Sequence, residues 1–447
     1  MSLPFHALDF VRKSVVRRAE RRRVATFFGA IALAANVFAA DAPLTLMEAQ
    51  RRAIERSRQL SSQDLAVSAS RDMAVAAGQL PDPILKIGID NLPVNGPDRF
   101  SLTKDFMTMR RIGVMQEITR SDKRQLRAER FERTAQKTLA EKNITAAAIE
   151  RDTALAWLDL YYARQMAAVV AEQGQQAKLE IQAAEGAYRA GRGNQIDIFV
   201  SRSSLAMFDD RASEVQRRVL NAKTMLARWI GNAVDMPLAG KPATDTIRLD
   251  PAMLDTQLTH HPQIAVATSQ IEVAKTEANL AQANKKSDWT VEVAYQQRGS
   301  AYSNMASVGV SIPFQLDQKN RQDRELSSKL AMVAQATAER DEMLRDHVAQ
   351  TRTTINEWEN NRERSARFER ELIPLASNRT FAGITAYRGG KATLTEVLSA
   401  RRNEIDVRIQ ALQLQTDTAR LWAQLNFLFP TGDVAAHTVT TPNKDMQ

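Results

Sequence analysis

The sequence predicts a mainly α protein built of long coiled-coil helical hairpins, with four short β-strands and an internal two-fold repeat. Three observations carry that expectation. Proline is absent between Pro97 and Pro237, between Pro313 and Pro374, and between Pro374 and Pro430, in stretches rich in Ala, Glu, Gln, Arg, Leu and Lys. Such runs are what long helices require, and their length points to coiled-coil packing. Short segments elsewhere alternate apolar and polar residues with a period of two, the strand pattern. Matching landmarks return after about 200 residues, a spacing too long for a solenoid unit and suited to a duplicated half.

The chain has 447 residues, 44% apolar and 6% aromatic, with no cysteine. The missing thiol excludes a disulfide scaffold, a thiolate zinc site and a cysteine nucleophile. A formal charge of +9 first suggests nucleic acid or an anionic membrane. The basic excess is unevenly placed, however. Arg12, Lys13, Arg17, Arg18, Arg21, Arg22 and Arg23 stand against Asp9 and Glu20, giving residues 1–40 a net +5 and the rest only +4. Nucleic acid is not an expected partner. Behind Arg23 comes the uncharged Val24–Ala40, closing on small residues, which is the order of a secretory signal peptide cleaved after Ala39 or Ala40. No cysteine follows that point, so a lipid anchor is not expected.

Within the rest, Pro81-Asp82-Pro83 stops a first helix and introduces a strand with Leu85, Ile87 and Ile89 on one face. Ile112 and Val114 mark its partner. A helix then runs from Lys123 to about Tyr188, and a returning helix covers roughly 194–229. Residues 231–253, with Pro237, Gly240 and Pro242, read as a linker. The second half repeats the plan. Trp289 to Tyr295 is a strand with its odd face apolar, and Val308, Val310 and Ile312 form the next. A run from Lys319 to Tyr387 is the second long helix, and 394–428 returns. Ile112-Gly113-Val114 matches Val308-Gly309-Val310, Tyr188-Arg189-Ala190-Gly191-Arg192 matches Tyr387-Arg388-Gly389-Gly390-Lys391, and Arg202 matches Arg401. The expected divisions are 1–40 signal peptide, 41–230 first half, 231–253 linker or equatorial region, 254–430 second half and 431–447 tail.

Alternation is the weak signature of a membrane barrel strand, and a half-buried soluble sheet gives the same pattern. Export and the interface-prone pair Trp289 and Tyr295 favour the membrane. An open sheet cannot sit in lipid, and four strands are too few to close a barrel. Several chains must therefore each contribute four.

The order of elements, the two halves and the paired Tyr-Arg-x-Gly tips resemble the TolC family of outer-membrane efflux ducts. The segment LPDPILKIGIDNLPVNGPDRFSLTKDFMTMRRIGVMQEI, residues 80–118, is similar to the branch serving heavy-metal exporters of the resistance–nodulation–division type. The resemblance implies a homotrimer whose twelve strands close one outer-membrane β-barrel, with the helices continuing as a trimeric α-barrel. It further implies a periplasmic adaptor and an inner-membrane pump as partners, outer-membrane lipid around the barrel, no cofactor and no enzyme chemistry. A periplasmic adaptor or pore-free coiled-coil scaffold is the rival, although an adaptor has one hairpin flanked by β-rich domains.

Glycines at the tips, Gly191 and Gly390, suit the positive φ of a helix end. The resemblance makes Tyr188, Arg189, Gly191, Arg192, Tyr387, Arg388, Gly390 and Lys391 adaptor-contacting. Asp197 and Glu396, one turn into the returning helices, favour the helix dipole on general grounds; the resemblance makes them acids of a closed, cation-selective aperture. Ser399 stands where the family has a further acid and Ala392 where it has a gating arginine, leaving Arg202 or Arg401 as substitutes. Met107, Met109 and Met115 share the polar parity of their strand, where thioethers suit soft metals only as a weak candidate site. His260-His261-Pro262 begins a helix, where capping or surface is the better reading than metal. No phosphate loop, zinc-protease motif or nucleophile elbow occurs.

Overall fold

A computed structural model describes residues 43–191 and 194–431. The signal-peptide segment, Arg192 and all of the tail beyond Thr431 lie outside the described residues. Two helices, α1 (Leu46–Arg56) and α2 (Arg58–Ala77), lead to strands β1 (Ile84–Asp90) and β2 (Met109–Ile118). Then α3 (Ser121–Arg189) runs for 69 residues, about 100 Å at 1.5 Å per residue, and α4 (Gln195–Ile230) returns. A one-turn α5 (Leu254–Gln257) precedes α6 (Pro262–Asn284), β3 (Trp289–Gln297) and β4 (Met305–Ser311). The chain then passes through α7 (Gln322–Arg367) and α8 (Ile373–Arg388) and returns as α9 (Leu394–Asn426). The order helix, strand, strand, long helix, turn, helix thus occurs twice.

One expectation needs correction. The second long helix is not one uninterrupted α-helix, because residues Phe368–Leu372 form a π-helical turn between α7 and α8. Pro374 supplies the reason: it has no N–H to donate, and its ring crowds the carbonyl four residues back, so the preceding turn widens. Residues 231–253 make contacts of their own. Leu44 pairs with Leu238 as a β-bridge, its N–H donating to the Pro237 carbonyl at 2.7 Å. Trp422 Nε1 donates to the Thr246 carbonyl (2.8 Å), and Val234 and Leu249 join the main core.

That core lies where both halves and this crossing segment meet. Trp157, Leu158, Leu160 and Tyr162 on α3 pack with Leu226, Leu254, Leu258, Trp358, Trp422 and Phe427. Trp157 stacks on Tyr161 at 5.5 Å and donates its indole N–H to the Leu44 carbonyl. A second cluster along the helices holds Met166, Val170, Ala177, Phe208, Val215, Ile405 and Ile409. A third, small one near the helix tips holds Ala184, Leu394 and Leu398. Large apolar side chains elsewhere on the helices stay exposed, Phe199, Leu375 and Phe381 among them.

Candidate functional site: an apolar sheet face and two helical tips

The four strands form one antiparallel sheet in the order β1-β2-β3-β4, leaving β1 and β4 as its edges. Directly paired residues share a face, so the register sorts the side chains. Leu85, Val114, Val293 and Val308 form one row, and Ile87, Ile112, Tyr295 and Ala306 the next. Val291 and Val310 are paired in a third, and Ile118 meets Trp289 at its end. The large residues of this face are open to solvent: Ile87 and Val308 are 75% and 74% exposed, and Leu85, Val293, Val310 and Trp289 are exposed too. Among the described residues no helix covers them. A face this apolar and this uncovered is abnormal for a soluble sheet, whose apolar side packs on a core.

The opposite face is charged. Lys86 Nζ reaches Glu292 Oε2 at 2.8 Å, and Arg111 donates to the same carboxylate while standing 3.6 Å from Asp90. Gly113 lies between them because a Cβ there would meet the Ala294 Cβ at 2.7 Å. Met109 pairs with Asp90, and Met115 with Glu292 and Ile84, on this polar face. Met107 does not belong to the strand: it precedes β2 in the loop, its N–H donating to Asp105 Oδ1 at 2.8 Å. The regular spacing of three thioethers along one strand is therefore lost. Among the described residues no group of three or more His, Cys, Asp or Glu side chains could hold a metal ion.

Opposite the sheet, the long helices reverse. Gly191 and Gly390 adopt φ of +73° and +70°. At the second tip the Gly390 N–H donates to the Tyr387 carbonyl and the Lys391 N–H to that of Ala386 (2.8 Å), a helix end only a residue free of Cβ enters without strain. Tyr188, Arg189, Arg388 and Lys391 are exposed there, whereas Tyr387 is half-buried against the small apolar cluster.

The candidate aperture residues are placed but not brought together. Glu396 closes a capping box: its carboxylate accepts from the Thr393 N–H at 2.8 Å, and Thr393 Oγ1 accepts from the Glu396 N–H. Asp197 sits in the first turn of α4, which Asn194 caps. Arg401 is 7% exposed and spends its fork on Glu180 (3.0 and 3.1 Å) and on Gln173 Oε1 (2.9 Å), both on α3. Arg202 pairs with Glu185, also on α3, at 3.3 Å in an exposed position. Both arginines thus tie a returning helix to α3, and among the described residues neither is bonded to Asp197 or Glu396. Nothing in the sequence singled out Gln173, Glu180 or Glu185, since only the packing of α9 and α4 on α3 selects them.

His261 is the cap the sequence suggested: its Nδ1 accepts from the Gln263 N–H at 3.3 Å, ahead of Pro262. It is buried, with its ring 4.5 Å from that of His347 on α7 and 5.7 Å from Phe429. Burial first, and then the neighbouring His347, push its pKa down to about 4. His347 is lowered as well, chiefly by burial.

No family model matches the chain. It is 23% identical over 292 residues to the cobalt-zinc-cadmium resistance protein CzcC of Cupriavidus metallidurans, covering 64% of this chain and 68% of that protein. Among solved structures it superposes on the outer-membrane channel OprN with a TM-score of 0.72, at 17% identity, over 87% of this chain and 90% of that one. The transmembrane-channel-forming CusC gives 0.71 at 15% identity over 85% and 92%. The outer membrane protein VceC of Vibrio cholerae gives 0.68 at 17% identity over 86% and 95%. The fold is that of the TolC-type outer-membrane channels. Among the described residues no helix is long and apolar enough to cross a membrane.

Proposed function

We propose that the protein is the outer-membrane exit duct of a tripartite efflux system, passing substrate passively from an inner-membrane pump and a periplasmic adaptor to the exterior. The observation that carries this reading is the sheet: one face apolar and uncovered, the other charged, and both edges unpaired. Lipid accepts such a face only if no edge remains open. Three copies, β4 of one beside β1 of the next, close twelve strands into a barrel with the Lys86–Arg111–Glu292 face lining its lumen. The central strands, of ten and nine residues, have the length of a tilted membrane strand. The helices of the same trimer form the periplasmic tube, and their exposed apolar residues become contacts between copies.

On this reading the tips at Gly191 and Gly390 form the periplasmic mouth. Tyr188, Arg189, Arg192, Tyr387, Arg388 and Lys391 meet the adaptor, and Asp197 and Glu396 ring the aperture three times each. The likeness to a cobalt-zinc-cadmium resistance protein favours heavy-metal cations as substrate. No reaction is assigned to the protein itself.

Purified from outer membranes in detergent, the protein is expected to migrate as a heat-resistant trimer and to open cation-selective channels in planar bilayers. The D197A/E396A variant should conduct more with weaker cation preference. A soluble monomer without conductance would overturn the duct, while unchanged conductance in the variant would remove only the aperture assignment.

A further inference from the structure

The two most exposed large apolar side chains of the described residues lie neither on the strands nor on the helices. They are Phe314 and Leu316, 88% and 93% exposed, in the short segment that joins β4 to α7. The segment is held in place. Ser287 Oγ donates to the Pro313 carbonyl at 2.6 Å, Gln315 Nε2 to the Asn284 carbonyl at 3.0 Å, and Gln318 Nε2 to the Lys285 carbonyl at 3.0 Å. Those bonds turn the polar residues back onto the end of α6 and leave Phe314 and Leu316 displayed on the other side. A braced loop that presents two bare apolar side chains is built to meet something.

Its surroundings indicate what. The apolar face of the sheet ends at the same level, with Val310 and Ile312 leading into the loop and the Ile118–Trp289 pair at the foot of β2 and β3. Around it lie exposed cations: Lys286, whose nearest acid, Asp122, is 3.9 Å away, and Lys319 and Arg321 in the turn before α7. Three of the acids nearby are engaged within the chain, while Glu325 in the first turn of α7 is exposed. Asp288 holds Lys123 at 2.8 Å, Asp323 holds Lys285 at 2.8 Å, and Asp317 accepts from Asn320. Apolar tips flanked by exposed cations, at the edge of a lipid-facing surface, match the layer where acyl chains give way to phosphates.

We propose that the Pro313–Arg321 loop is an anionic-phospholipid site of the periplasmic leaflet. Phe314 and Leu316 enter the acyl boundary beside Trp289, and Lys286, Lys319 and Arg321 hold the phosphate. This rests on the outer-membrane reading. It adds a lipid preference that an apolar strand face alone does not supply.

The test uses the full chain, whose lack of cysteine makes L316C a unique thiol. The thiol carries an environment-sensitive fluorophore, with E342C on exposed α7 as the control. In phosphatidylcholine vesicles containing one-fifth phosphatidylglycerol, a headgroup-depth spin-labelled lipid is expected to quench the label at 316 and not at 342. Spin-labelled phosphatidylglycerol should quench on the order of tenfold more effectively than spin-labelled phosphatidylcholine, and K286Q/K319Q/R321Q should bring the ratio near one. Equal quenching by both lipids in the parent protein would overturn the proposal. So would a label at 316 shielded already in detergent and untouched by lipid, which would make the loop a contact between copies. Flotation with the vesicles and channel conductance, followed in every sample, report separately on the duct: if neither occurs, it is the outer-membrane reading that has failed.

Discussion

The two arginines at matching positions of the halves have different weights, although they make the same kind of contact. Arg401 is buried and its guanidinium is divided between Glu180 and Gln173, whereas Arg202 meets Glu185 in solvent. Removing one member of a buried pair strands the other charge, costing about 3–5 kcal/mol, while an exposed pair is worth roughly 0–1. R401A is therefore expected to lower the thermal midpoint of the purified protein clearly, and R202A to leave it nearly unchanged. Equal shifts would mean that Arg401 is not buried in the assembled protein. His261 gives a second residue-scale expectation. With its folded pKa depressed to about 4, the neutral ring is the form that folding favours. Its contribution is complete above about pH 6.5 and is lost as pH falls toward 4, where protonation favours the unfolded chain, on the order of 3 kcal/mol per copy. H261N keeps a helix-capping side chain and removes the titration. Melting curves should show the parent losing more stability than H261N across that window, and parallel profiles would discount the His261–His347 contact.

At the scale of elements, the sheet makes the sharpest demand. V293K or V308K places a charge on the apolar face, where a lysine at bilayer depth costs about 2–4 kcal/mol. Either variant should reduce the yield of heat-resistant trimer in outer-membrane fractions, whereas S307K, on the charged face, should assemble normally. The strands were legible because alternation writes the two faces directly into the sequence, and Leu85, Ile87, Ile112, Val114, Val308 and Val310 all took the face their parity assigned. The long helices were legible from the proline gaps, to within a few residues. The π-helical turn before Pro374 was not, because a proline within a helix is met by local rewinding as readily as by a break. The site was harder. Gly191, Gly390 and the cap at His261 are short-range features. Glu180 and Gln173, in contrast, find Arg401 across more than 200 positions of chain, and helical periodicity carries no record of which helix will lie alongside. Met107 has the parity of its strand but lies before it, since parity says nothing of where pairing begins.

For the whole molecule, the fold and the charge balance agree. The basic excess sits largely in residues 1–40, and the remainder is nearly neutral over very long solvated helices. Deleting the gene should sensitise cells to cobalt, zinc or cadmium if the duct serves a metal exporter; growth assays that show sensitivity to organic compounds alone would remove the metal assignment and leave the duct. One feature of the sheet also bears on biogenesis. The outer strands β1 and β4 offer rows of unsatisfied amide and carbonyl groups, and such edges bind any strand that arrives. On the proposed trimeric barrel, a single copy is thus a sticky intermediate, whose route to the finished barrel depends on meeting two others before it meets something else. The yield of assembled protein should fall steeply at low expression, and the surplus at high expression should be vulnerable to off-pathway strand pairing. Supply of the chain, as much as its sequence, then decides how many ducts a cell completes.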